Sequence, residues 1–154
     1  MILGIDPGLA STGWALVDND KLLASGTVKT KPKDYKDISI SARCEDIVYQ
    51  VEKGVEDRRP LCLCRTKTVI EMPFSGRFKG GSETYFLAGY MAAAFNTAMM
   101  VHPLTWSKGY KGKAGERMEA ARKAALKHYR VRKRTSEHER DAIAIAYYAE
   151  REGL

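Results

Sequence analysis

Apolar residues fall along this chain in two rhythms. Ile2 to Asp6 is a short, almost wholly apolar run that closes on an acid, the pattern of a strand covered on both faces. Thr12 to Val17 and Leu22 to Lys29 read as two further strands, with Asp18-Asn19-Asp20 as the turn between them. The opening therefore predicts a meander of three antiparallel strands. Lys31 to Asp37, which contains Pro32, is a polar loop. From a serine cap at Ser39 or Ser41 to about Asp57, the residues Ile40, Cys44, Ile47, Val48 and Val51 form one stripe at helical spacing. Arg58-Arg59-Pro60 breaks that helix. Thr66 to Glu71 is another apolar strand that ends on an acid, with Pro73 two residues later.

The second half turns helical. Ser82 to Met100 reads as a long helix rich in Ala and Met, apolar nearly all round and hence buried. Val101 to Trp106, with Pro103, reads as a short edge strand. Glu116 to Tyr129 forms a basic helix. Ser136 to Arg151 forms the last one, capped by Ser136 with Glu139 three residues on, as in a capping box. No internal repeat or low-complexity tract interrupts the order. Residues 1–154 are expected to form a single α/β domain whose sheet carries helices on both faces.

Composition adds limits. With 44% hydrophobic and 29% charged residues, the chain has the make-up of an ordinary globular protein. Its longest apolar stretch, Phe86 to Val101, is interrupted by Asn96 and Thr97 and is short for a membrane span. No basic region precedes an apolar block at the N-terminus, so neither a signal peptide nor a membrane partner is expected, and a cytoplasmic location follows. Cys44, Cys62 and Cys64 fit that compartment as reduced thiols. Cys62-Leu63-Cys64 lacks the gap of zinc and redox motifs, and His102, His128 and His138 lie too far off to complete a zinc set.

Charge changes the picture more. The chain carries a formal net charge of +7, yet Lys108 to Arg134 alone holds eleven Lys and Arg against Glu116 and Glu119, a surplus of nine. The rest is close to neutral. A segment this basic is a footprint for a polyanion, which weighs more here than a merely solvated helix face.

Against that basic segment stand the acids. Asp6 closes one strand and Glu71 another, and "SEHERDAIAIAYYA" opens the last helix. In open α/β sheets the functional site lies at the strand ends. His138 and Asp141 are three residues apart and project from one helix face, with Ala142, Ile145 and Ala149 spaced to anchor the helix on the sheet. Docked so, the helix brings His138 and Asp141 above Asp6 and Glu71. Gathered carboxylates repel one another and raise each other's pKa, a conflict that a divalent cation removes. Two such ions stabilise both the attacking and the leaving oxygen of a phosphodiester. An acid-metal site beside a basic surface has the layout of a nuclease. A competing reading takes "DPGLASTG" as a phosphate cradle like that of sugar kinase and actin-like ATPases, but those folds need a second, similar domain. "GYKGKAG" lacks P-loop spacing.

"ILGIDPGLASTGWALVD", "VIEMPFSGRF" and "HERDAIAIAYYA" together resemble the RuvC-type Holliday junction resolvases of the ribonuclease H-like superfamily, over about Ile2 to Ala149. The resemblance implies a ribonuclease H-like fold, a five-stranded mixed sheet with helices on both faces. It further implies a homodimer that cuts branched, four-way DNA by paired nicks with Mg2+ or Mn2+, two ions per active site. Asp6, Glu71 and Asp141 match the family's metal-binding carboxylates. His138 falls where many members carry aspartate, as a ligand or a proton handler without negative charge, and Glu137 is the substitute to test beside it. Phe74 matches an aromatic that acts at the junction centre, and Lys108, Lys111, Lys113 and Arg117 fall at or beside positions that contact DNA backbone. Cleavage of flaps, other branches or RNA–DNA hybrids, and junction binding without cleavage, stay open as alternatives.

Overall fold

The strands β1 (Ile2–Asp6), β2 (Ser11–Asp18), β3 (Lys21–Lys29), β4 (Lys67–Glu71) and β5 (Ala98–Val101) form one mixed sheet in the order β3-β2-β1-β4-β5. This is a computed structural model, and it describes residues 1–31, 39–58, 66–73, 81–95, 98–132 and 134–154. The three N-terminal strands are antiparallel, as the hydrophobic pattern predicts, whereas β1 with β4 and β4 with β5 run parallel. Asn19 and Asp20 turn the β2–β3 hairpin with φ of 48° and 59°. Asn and Asp are the non-glycine residues that tolerate this left-handed region best.

Side-chain alternation sorts the sheet into two faces. Leu3, Ile5, Leu16 and Ile70 point one way, into a core closed by Ile47 and Val51 of α1 (Ile40–Glu56) and Leu87 and Met91 of α2 (Gly81–Ala94). Ile2, Ala15, Val17 and Val69 point the other way, against α5 (Glu137–Arg151) and, beyond it, α4 (Ala114–His128). Burying a side chain such as Leu3 or Ile145 fully is worth roughly 1.5–3 kcal/mol. Ser39 caps α1 by accepting the Ala42 N–H, and Ser136 caps α5 by accepting the Glu139 N–H. In α4 the Glu116 carboxylate reaches back to the Lys113 N–H at 2.8 Å, so this helix begins two residues before the expected start.

Two expectations fail in one place. The helix expected over Ser82 to Met100 stops at Ala94, and Ala98–Val101 pairs in parallel with Thr68–Glu71 as the edge strand. The apolar pair Met99-Met100 thus satisfies β4 rather than extending a helix. The strand expected over Val101 to Trp106 ends at Val101, and Pro103 opens a short helix, α3 (Pro103–Trp106). Proline suits a first helical turn, where no N–H is needed, and the His102 ring accepts the Leu104 N–H there. The expected all-round burial of α2 fails too. Leu87, Ala88 and Met91 face the core, while Tyr85 and Phe86 are 36% and 46% exposed. An apolar helix in contact with the rest of the chain along one stripe leaves its other face bare. Cys44 is a buried free thiol. Cys62 and Cys64 lie outside the described residues. Among the described residues no helix is long and apolar enough to cross a membrane.

Candidate active site

Strand register brings the first two acids together. β1 and β4 are parallel neighbours with Ile5 opposite Ile70, so Asp6 and Glu71 end adjacent strands at the same level. Period-two alternation then places both on the face that carries Val69 and α5, not on the α1 and α2 side.

Two glycines let the last helix come down onto that face. A Cβ on Gly4 would lie 2.4 Å from the Ala142 carbonyl oxygen, and one on Gly13 would lie 1.9 Å from the His138 carbonyl oxygen. Gly13 is also the cross-strand partner of Asp6. The helix N-terminus is pinned further by Ser25, which donates to Glu139 at 2.7 Å, and by the Thr27–Ser136 hydroxyl pair at 2.6 Å. In consequence His138 Nδ1 sits 2.6 Å from Asp6 Oδ2. Asp141, three residues on and buried, joins the same face.

The resulting electrostatics are those of a crowded carboxylate site. Burial, then the neighbouring Asp6 and Asp141, push Glu71 up to about 9. The buried indole N–H of Trp106 and the Arg122 charge oppose that rise. Burial raises Asp141 to about 6 against the pull of Arg122. It raises Asp6 as well, with His138 opposing, while the Asp6 hydrogen bond raises His138.

Arg122 is the site residue that sequence reasoning missed. Its guanidinium donates through Nε to Asp141 Oδ1 and through Nη2 to Asp141 Oδ2, the latter at 2.8 Å. Glu137 Oε1 lies 3.3 Å from Nη2 and Glu119 Oε2 3.5 Å from Nη1. In the sequence Arg122 is one cation in a basic run, and only its place beside the buried Ala121 and Ala125 distinguishes it. Glu137 pairs with Arg122 and stays largely exposed, unlike the other acids of this group.

The expected DNA contacts fall on the neighbouring surface. Lys108, Lys111 and Lys113 are exposed between α3 and α4, and Arg117 is half-buried in the first turns of α4. Phe74 lies outside the described residues. A separate group, Asp20, His128 and Glu150, holds three possible ligand atoms within 4.8 Å of one another. Glu150 is twelve residues from His138 along α5, about 18 Å at 1.5 Å per residue, so this group is not part of the Asp6 site. Among the described residues no other such group of three is found.

No family model matches the chain. The crossover junction endodeoxyribonuclease RuvC of Polaromonas naphthalenivorans is 30% identical to it over 122 residues, 73% of this chain and 66% of that protein. The chain belongs to the RuvC family. RuvC of Rickettsia felis is 55% identical over 74 residues, 46% of this chain and 45% of its own length. The chain thus spans less than two thirds of these curated RuvC relatives. Thermus thermophilus RuvC, solved in complex with Holliday junction substrate, superposes with a TM-score of 0.70 over 99% of this chain and 95% of that one, at 23% identity. That likeness establishes the RuvC fold, which is ribonuclease H-like.

Proposed function

We propose that this RuvC family member is a divalent-metal-dependent endodeoxyribonuclease that resolves four-way DNA junctions by paired nicks. The observation that carries the reading is the meeting of Asp6, Glu71 and Asp141 at the ends of β1 and β4, beside the basic α4 and the loop before it. Its relatives' name, crossover junction endodeoxyribonuclease, and the junction bound to Thermus thermophilus RuvC support the choice of substrate.

The residues fit a hard divalent cation. Three carboxylates supply oxygen ligands, and burial together with their mutual repulsion makes their charged forms costly until a cation is bound. Asp6, Glu71 and Asp141 would hold Mg2+ or Mn2+, two ions per site. When bound, such ions neutralise phosphate charge and lower the pKa of coordinated water.

The protein's own part follows from the geometry. Donation of the His138 Nδ1 hydrogen to Asp6 leaves Nε2 as the acceptor. His138 can then take a proton from an attacking water, and Asp6 steadies the imidazolium so formed. Lys108, Lys111, Lys113 and Arg117 would grip the phosphate backbone on either side of the cut. Phe74 would stack on an exposed base at the junction centre, worth about 1–3 kcal/mol. Paired cuts need two sites facing across one junction, hence a homodimer, and the bare Tyr85–Phe86 face of α2 supports its placement there. We read residues 1–154 as one nuclease domain acting in the cytoplasm.

Incubation of a synthetic four-way junction with protein and Mg2+ or Mn2+ tests the reading, with linear duplex, flap and RNA–DNA hybrid alongside. Symmetric nicks in the junction alone are expected. Cleavage of the flap or hybrid instead, or tight binding with no nick in either metal, would overturn it.

A further inference from the structure

We propose that Arg122 is an internal counter-ion of this site, which holds Asp141 until a divalent cation takes its place and thereby sets the cation affinity. The inference rests on reading Asp6, Glu71 and Asp141 as a cation site.

Both oxygens of Asp141 are engaged by one guanidinium, through Nε and Nη2. This two-point geometry is the strongest form of carboxylate pairing. The pair is also shielded, with side-chain exposures of 13% for Arg122 and 9% for Asp141. A cation bound at Asp141 needs at least one of the same oxygens at about 2.0–2.1 Å. Arg122 and the cation are therefore drawn to the same two oxygens, and their like charges oppose each other there.

A competitor must also have somewhere to go. A buried arginine stripped of its partner would be costly. Glu137 and Glu119 provide the alternative, at 3.3 Å and 3.5 Å from the same guanidinium and with side chains 66% and 40% exposed. On leaving Asp141, Arg122 keeps two carboxylates on its solvent side.

Calorimetric titration of the metal-free protein with Mn2+ tests this without cleavage. Arg122→Gln removes the competing charge and is expected to bind Mn2+ at least about threefold more tightly, as loss of a unit charge a few ångströms away implies. Arg122→Lys keeps the charge but loses the two-point grip, and is expected to bind Mn2+ with an affinity between those of wild type and Arg122→Gln. Equal or weaker binding by Arg122→Gln, while wild-type binding depends on Asp6, would overturn the inference and leave the site intact. Absence of Mn2+ binding by wild type, or its survival in Asp6→Asn, would instead sink the site along with it. Should Arg122→Gln fail to fold, the Arg122 Nε–H resonance of wild type gives the answer. It should move on Mg2+ saturation, and an unmoved resonance overturns the proposal.

Discussion

Asp6 and His138 lie 132 positions apart in the chain, yet their side chains meet at 2.6 Å. The contact joins the end of a central strand to the first turn of the last helix. It exists because Gly4 and Gly13 allow the helix backbone to touch the sheet.

Gly13→Ala should therefore break the site from a distance. Its Cβ would fall 1.9 Å from the His138 carbonyl oxygen and 2.8 Å from the Glu139 nitrogen, both backbone atoms with no side-chain freedom to yield. Overpacking of this kind costs about 1–3 kcal/mol, and the displaced His138 should lower cleavage at least about tenfold. Thermal melting beside a cleavage assay reads the loss of stability and the loss of activity separately.

The metal-free protein should lose stability as pH rises. Glu71 is raised from 4.5 to about 9, so across that window the folded state holds a proton that the unfolded state has released. The slope of unfolding free energy with pH is then negative. Asp141, raised from 3.8 to about 6, acts with the same sign at lower pH. Urea unfolding with chelator at pH 5, 7 and 9 should show the decline, and Glu71→Gln should flatten it and raise the melting temperature at pH 8 by at least about 2–4 °C. An equal slope in the variant would contradict the assignment.

Phe86→Glu should yield monomers. Phe86 is 46% exposed on the outer face of α2, and a charge there would be desolvated on pairing. Light scattering at micromolar concentration should report a dimer for wild type and a monomer for the variant. A monomeric wild type, with or without DNA, would contradict the pairing.

Much of this was legible in the residues, for identifiable reasons. The strand Ile2–Asp6 announces itself by an unbroken apolar run that ends on an acid, Lys67–Glu71 by Val69 and Ile70 before its acid, and the last helix by its cap and its Ala/Ile stripe. The break inside Ser82–Met100 was not legible. Ala and Met occur in a helix and in a half-buried edge strand alike, and only the vacant edge of β4 decides between them. Arg122 was hidden for a different reason. Charge counting treats eleven cations alike, and which of them turns inward depends on how α4 packs on α5.

The most direct measurement compares wild type with Asp6→Asn on one labelled four-way junction in Mg2+ or Mn2+, with binding followed in parallel. Wild type should make paired nicks, while Asp6→Asn should retain junction affinity and cut at least about a thousandfold more slowly, as expected when a group central to charge stabilisation is removed. Cutting by Asp6→Asn at near the wild-type rate would contradict the account.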